Sequence, residues 1–146
     1  MSARPSVHPT VSVFVFDASA TAVLLHRHRR SGAWGQFGGH PEPGDATVRA
    51  AALRELAEEA GLHDPQALTE APLAVTELPG FGDCVTHVDH AFGYTADVAR
   101  TPESPEGSEV RWFPLAALPA GIMPDLPERL PLLARAARTA PLPRNR

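Results

Sequence analysis

Lysine is absent from this 146-residue chain: all thirteen basic residues are arginine, set against seventeen acidic ones for a formal net charge of −4. Apart from the short run Arg27, Arg29, Arg30 there is no basic tract able to follow a nucleic-acid backbone, so DNA and RNA are not expected partners. Cysteine occurs once, at Cys84. Neither an internal disulfide nor a thiolate-rich zinc site can be built from one thiol, and a reducing compartment, the cytoplasm, is the one expected. No stretch reaches the ~18 uninterrupted apolar residues a membrane-spanning helix requires. Nor does a charged start precede an apolar run, as in a secretory leader. The expectation is a soluble protein with no membrane partner.

What is present fits one domain over residues 1–146, since the 43% of hydrophobic residues can close a single core at this length. The Pro-rich polar ends, about 1–8 and 139–146, are expected to be flexible. Residues 11–16, Val-Ser-Val-Phe-Val-Phe, are β-branched and aromatic and stop at Asp17, which predicts a strand closed by a turn. A second strand over 22–26 would complete an antiparallel hairpin. Residues 32–44 hold five glycines and two prolines, a composition for close backbone approaches and site-building loops. Strands are expected over 73–78 and 85–98, separated by the turn Pro79-Gly80-Phe81-Gly82, and a short edge strand over 110–113. A second helix is expected over 124–138, starting near Pro127.

The surest helix covers residues 46–60, which contain neither Gly nor Pro, with Asp45 as expected N-cap and Gly61 as C-cap. Leu53, Leu56 and Ala60 make an apolar stripe along it. Glu55, Glu58 and Glu59 crowd within about one turn on another face, an arrangement that costs roughly 0.2 to 0.5 kcal/mol per like-charge pair in an isolated helix. A hard divalent cation removes that cost, because magnesium takes oxygen ligands and joins carboxylates to substrate phosphates. An acidic face of this kind is otherwise an ordinary solvated surface.

Context decides between the two. The segment Gly39-His40-Pro41-Glu42-Pro43-Gly44-Asp45, followed by Arg54-Glu55-Leu56-Ala57-Glu58-Glu59-Ala60-Gly61-Leu62, resembles the signature box of the Nudix hydrolases, G-x5-E-x7-R-E-U-x-E-E-x-G-U with U aliphatic. Every fixed position of the second half matches. In the first half Asp45 stands where the family usually has Glu, and one extra residue precedes Arg54. The resemblance extends to residues 24–44 and to Val110-Arg111-Trp112-Phe113-Pro114-Leu115, which is similar to the family's closing strand. It implies an α+β protein, a Nudix-type α/β/α sandwich with a mixed central sheet. It also implies Mg2+-dependent hydrolysis of the diphosphate linkage in a nucleoside diphosphate joined to another moiety, with Mn2+ as a substitute ion.

Residue by residue, the resemblance implies Glu55, Glu58, Glu59 and the Gly39 carbonyl as metal ligands, and Arg54 as the arginine that orients a box glutamate. The general base is a box glutamate, Glu58, or a later loop acid, Glu106 or Glu109. Arg27 and Arg29 are candidates for the substrate's phosphates, sharing one strand face by alternation. Among the aromatics able to stack on a base, Phe37 is taken with His40 as substrate-binding. His87 and Asp89 would share a strand face with His90 opposite, which disfavours joint chelation by the two histidines. The partner expected is a small-molecule nucleotide; a homodimer could form through any apolar strand. The alternative function is a catalytically weak domain of the same family that binds a nucleotide for regulation, motivated by Asp45. An isomerase of this fold is a further alternative. The substrate stays open among ADP-ribose, nucleoside triphosphates, dinucleoside polyphosphates and sugar nucleotides.

Overall fold

Strand β1 (Val7–Phe16) is buried on both sides from Val11 onward, which explains why its sequence is a continuous apolar run rather than an alternation. In the computed structural model, which describes residues 7–79 and 86–143, Val11, Val13 and Val15 belong to one core cluster and Phe14 and Phe16 to the other. The strand begins four residues earlier than its apolar run because it pairs in parallel with β6 (Thr86–Thr95) over its whole length, from Val7 opposite Thr86 to Phe16 opposite Thr95.

The expected hairpin is present: β2 (Ala22–Arg27) runs antiparallel to β1 through Val15–Leu24 and Phe16–Val23. The two strands then diverge. Into the gap come β3 (Trp34–Gly35), paired with β2, and β4 (Phe37–Gly39), paired with β1. Outside β2 lies β7 (Val110–Pro114), and outside β6 lies β5 (Ala74–Pro79). Among the described residues these seven strands form one mixed sheet. The expected turn after Pro79 lies outside the described residues from Gly80 onward, as do Phe81 and Cys84.

Helix α1 (Val48–Ala60) lays Ala51, Ala52, Leu56 and Ala60 on the valine face of β1, with Leu53 only partly buried beside them. Helix α2 (Leu126–Thr139) lays Leu126, Leu130, Leu133 and Ala134 on the phenylalanine face. Each such large side chain taken out of water contributes about 1.5 to 3 kcal/mol. Pro127 sits in the first turn of α2, where its missing N–H leaves no gap in the ladder. The result is the expected α+β architecture, a mixed sheet between two helices.

One boundary differs from expectation. The cap of α1 is Thr47, with extended backbone and its side chain accepting from the Ala50 N–H, so the helix starts at Val48 rather than 46. Asp45 is not the cap. The extra residue of this segment is spent in a turn, closed by the Asp45 N–H on the Glu42 carbonyl (2.9 Å), which carries the Asp45 side chain away from the first amides of the helix. At the other end Gly61 adopts φ 68° and its N–H closes on the Ala57 carbonyl, the C-cap expected of it.

Candidate active site

The glycines of β4 bring backbone against the glutamates of α1. Gly38 has φ 149°, and a Cβ there would overlap the Val11 carbonyl oxygen, so only glycine allows the strand to lie this close. Its N–H donates to Glu59 Oε1 at 2.7 Å. A Cβ on Gly39 would stand 2.9 Å from Glu55 Oε1, so the absent side chain is what lets the Glu55 carboxyl reach the Gly39 backbone. Glu55 and Glu59, four residues apart, have side chains only 14% and 17% exposed, whereas Glu58 is 51% exposed on the outer edge of the face.

Three crowded carboxylates leave an electrostatic signature. Burial pushes the Glu59 carboxyl up to about 8, with Glu55, Glu106 and Glu58 adding to the rise and the Gly38 N–H opposing it. Burial also raises Glu55, against the Arg54 guanidinium. Arg54 is the counter-charge of the whole face. It reaches Glu55 at 2.9 Å, Asp45 at 3.0 Å, and Glu58 and Glu42 at 3.3 Å. The expected Arg54–Glu58 contact exists, but those to Asp45 and Glu55 are shorter. Hydrogen bonds from Arg54, then from the Glu42 N–H, hold Asp45 below the usual carboxylate range.

Beside Glu59 lies a residue not singled out from sequence. His26 is 4% exposed, contacts the Gln36 carbonyl through Nε2 at 3.1 Å, and stands 4.0 Å from Glu59 Oε2. Its ring packs between Phe37 and His28, each 4.6 Å away, and burial lowers its pKa to about 4. Alternation along β2 carries the signal: His26 shares a face with Leu24, hence with α1.

Arg27, one residue on, points to the other side. Its guanidinium lies 4.8 Å over the Trp34 ring in the α2 core and 3.5 Å from Glu109. Strand β2 ends at Arg27, so alternation does not reach Arg29, whose Nη2 donates to the Glu106 carbonyl at 2.7 Å. The loop before β7 is thereby tied to the site. Its Glu103 carbonyl oxygen would sit 3.1 Å from a Cβ on Gly61 at the end of α1, and the Glu106 carboxylate acts on Glu59. Glu109 is held instead between Arg27 and Arg111, the latter at 2.8 Å.

A cavity of about 520 Å³ opens beside the glutamates. Gly38, Gly39 and His40 border it at the α1 end; Phe37, fully buried, forms part of its wall while packing into the core. His40 packs edge-on against His87 (5.1 Å) and His8 (6.1 Å). His87 and Asp89 both line the cavity, as their shared strand face requires, whereas His90 contacts the Thr10 carbonyl through Nδ1 at 3.2 Å. Asp89, 2% exposed, accepts from Thr10 (2.8 Å) and Ser12 (2.9 Å) and pairs with Arg129 at 2.7 Å.

The oxygen donors Glu55, Glu59, Glu58 and the Gly39 carbonyl suit a hard divalent cation. The missing Cβ at Gly39 leaves the backbone open to it, and the raised carboxyls show the excess negative charge it would neutralise. Among the described residues no three such side chains already converge on one point. Binding therefore requires the exposed Glu58 to turn inward.

The profile of the NUDIX domain family matches residues 6–135 of the chain. Similar solved structures include a MutT NUDIX hydrolase from Burkholderia pseudomallei, at 22% identity and TM-score 0.68, covering 87% of this chain and 98% of that one. A NUDIX-family hydrolase from Clostridium perfringens shows 23% identity and TM-score 0.66, with 88% and 95% covered. UDP-X diphosphatase shows 21% identity and TM-score 0.67, with 94% and 67% covered. At these identities the likeness is one of fold. A search of curated proteins found no match. With the family profile spanning most of its length, the chain belongs to the NUDIX family. Its class is that of hydrolases acting on pyrophosphate bonds of small nucleotides, and no described helix is long and apolar enough to cross a membrane.

Proposed function

We propose that the protein hydrolyses the diphosphate linkage of a nucleoside diphosphate joined to a further group, using Mg2+, or Mn2+ in its place, held by Glu55, Glu58, Glu59 and the Gly39 carbonyl. The observation that carries this is the buried carboxylate face of α1 laid against glycine backbone, with Glu59 raised to about 8. Such a face is unfavourable in the protein alone and favourable with a cation. When bound, the ion neutralises the bridging phosphates and orients the attacking water. One solved structure of this fold is named UDP-X diphosphatase, a substrate type in keeping with a cavity large enough for a nucleoside beside the glutamates.

The protein's own groups supply the rest. The cavity holds the nucleoside end and His40 stands where cavity and glutamates meet. Arg54 positions Glu55 and Glu58. Glu106 is the preferred general base, since its carboxylate already acts on Glu59 while Glu109 is engaged by two arginines; Glu58 is the alternative within the box. Arg29 anchors the Glu106 loop and lies nearer the phosphate path than Arg27, which stacks on Trp34. Asp45 is bound to Arg54, so the departure from the family pattern alters how the arginine is held and removes no ligand from the Glu55–Glu59 face.

The test is phosphate release, coupled to a phosphatase, over a panel of nucleoside-diphosphate derivatives with Mg2+. Turnover should be metal-dependent and fall at least about 1000-fold in Glu59→Gln, the scale expected when a principal electrostatic element is lost. Unchanged turnover in the folded variant would remove Glu59 from the site.

A further inference from the structure

The cavity beside the glutamates is charged the wrong way for phosphate. Two carboxylates line it, Asp89 and Asp125. Arg129 is their shared counter-charge, and both of its terminal nitrogens are spent, Nη2 on Asp89 at 2.7 Å and Nη1 on Asp125 at 3.0 Å. One negative charge is left over at the wall. The phosphates of a nucleotide therefore belong at the α1 end, and this end takes the uncharged base.

Hydrogen-bond bookkeeping shows what the wall presents. The hydroxyl protons of Thr10 and Ser12 are both committed to Asp89 Oδ1. Ser12 in turn accepts from Gln36 Nε2 at 3.1 Å. Because a buried carboxylate can only accept, the direction of this chain is set by Asp89. What remains toward the cavity is mostly acceptor. Asp125 Oδ1 and Gln36 Oε1 have no hydrogen-bond partner among the described residues, against one remaining Gln36 N–H. A ligand that cannot donate would strip water from these oxygens without replacing it, a cost that falls on the wrong ligand alone.

Resting on the hydrolase proposal for this site, we infer that the cavity selects nucleobases bearing an exocyclic amino group, adenine, guanine or cytosine, over uracil and hypoxanthine, with Asp125 as the specificity-determining acceptor. Uracil and hypoxanthine present carbonyl oxygens where the others present N–H groups, and a carbonyl meets Asp125 with like partial charge. Asp125 suits the role because its side chain is 38% exposed and held at one oxygen only, whereas Asp89 is buried and saturated.

The experiment is calorimetric titration of the folded protein with AMP, GMP, CMP, UMP and IMP in the presence of Mg2+, repeated on Asp125→Asn, with diphosphate hydrolysis followed in parallel on derivatives of the same bases. GMP and IMP differ only in the 2-amino group. At least one amino-bearing nucleotide should bind about 10- to 100-fold tighter than IMP and UMP, and Asp125→Asn should reduce that ratio to near unity. Equal binding of all five, no binding by any, or an unchanged ratio in the variant would overturn the selection. Turnover that is equal for every base leaves the hydrolase intact and the selection refuted. Selective binding without turnover on any derivative does the reverse.

Discussion

At the scale of single residues, Glu59 and His26 are neighbours whose charges are suppressed by the same burial. In the metal-free protein Glu59 titrates near 8 instead of 4.5, so it contributes stability that is present below 4.5 and lost as pH rises toward 8. His26, lowered from 6.5 to about 4, does the opposite: its stability is present above 6.5 and lost as pH falls toward 4. Between 4.5 and 6.5 the two slopes offset, and from about 6.5 to 8 only the Glu59 loss remains. The melting temperature of protein in chelator should therefore fall across that upper window. Glu59→Gln should flatten the fall, and a variant as pH-sensitive as the parent would show that another group carries it. Glu59 could be singled out from its spacing in the box. The suppression of its charge could not, since it depends on how β4 and β2 close over it.

Among elements, the junction between the glycine segment and α1 shows how an inserted residue is absorbed. The helix keeps Glu55, Glu58 and Glu59 on one face because the extra residue is taken up before Thr47, in the turn from Glu42 to Asp45. The cap consequently passes to Thr47, and Asp45 becomes a partner of Arg54. Thr47→Ala should lower stability by about 1 kcal/mol in a denaturant titration. An unaffected midpoint would mean the first turn is held by something other than the Thr47 hydroxyl. Sequence reasoning placed the helix, its last residue and its acidic face, because periodicity and Gly61 are local signals. It misplaced the first turn because Asp and Thr are both good caps, and the choice between them is made by the loop geometry that precedes them.

Over the whole molecule, the second helix does more than cover the sheet. Arg129 on α2 pairs with Asp89 on β6, and Asp89 gathers Thr10 and Ser12 of β1, so one buried charge joins three elements at the cavity floor. Removing half of a buried pair costs about 3 to 5 kcal/mol, because the partner is left charged and dry. Asp89→Leu should therefore destabilise the protein by roughly that amount in urea unfolding, and adding Arg129→Met should recover part of the loss. Failure of the double variant to recover any stability would mean Asp89 acts through Thr10 and Ser12 alone. Nothing in the sequence pairs residues 89 and 129; the contact exists because β1 and β6 are parallel neighbours and α2 crosses the face they share.

The sequence by itself determined the family, the mixed α+β class, and the carboxylates of α1, all of which follow from patterns within a few turns of chain. It determined the β1–β2 hairpin for the same reason. Only the tertiary structure decided that His26 faces Glu59 while Arg27 faces Trp34, that Glu106 rather than Glu109 bears on the site, and that Asp89 and Asp125 share Arg129 at the cavity. These are contacts between segments far apart in the chain. They are fixed by sheet register and helix packing, which depend on how the whole core closes.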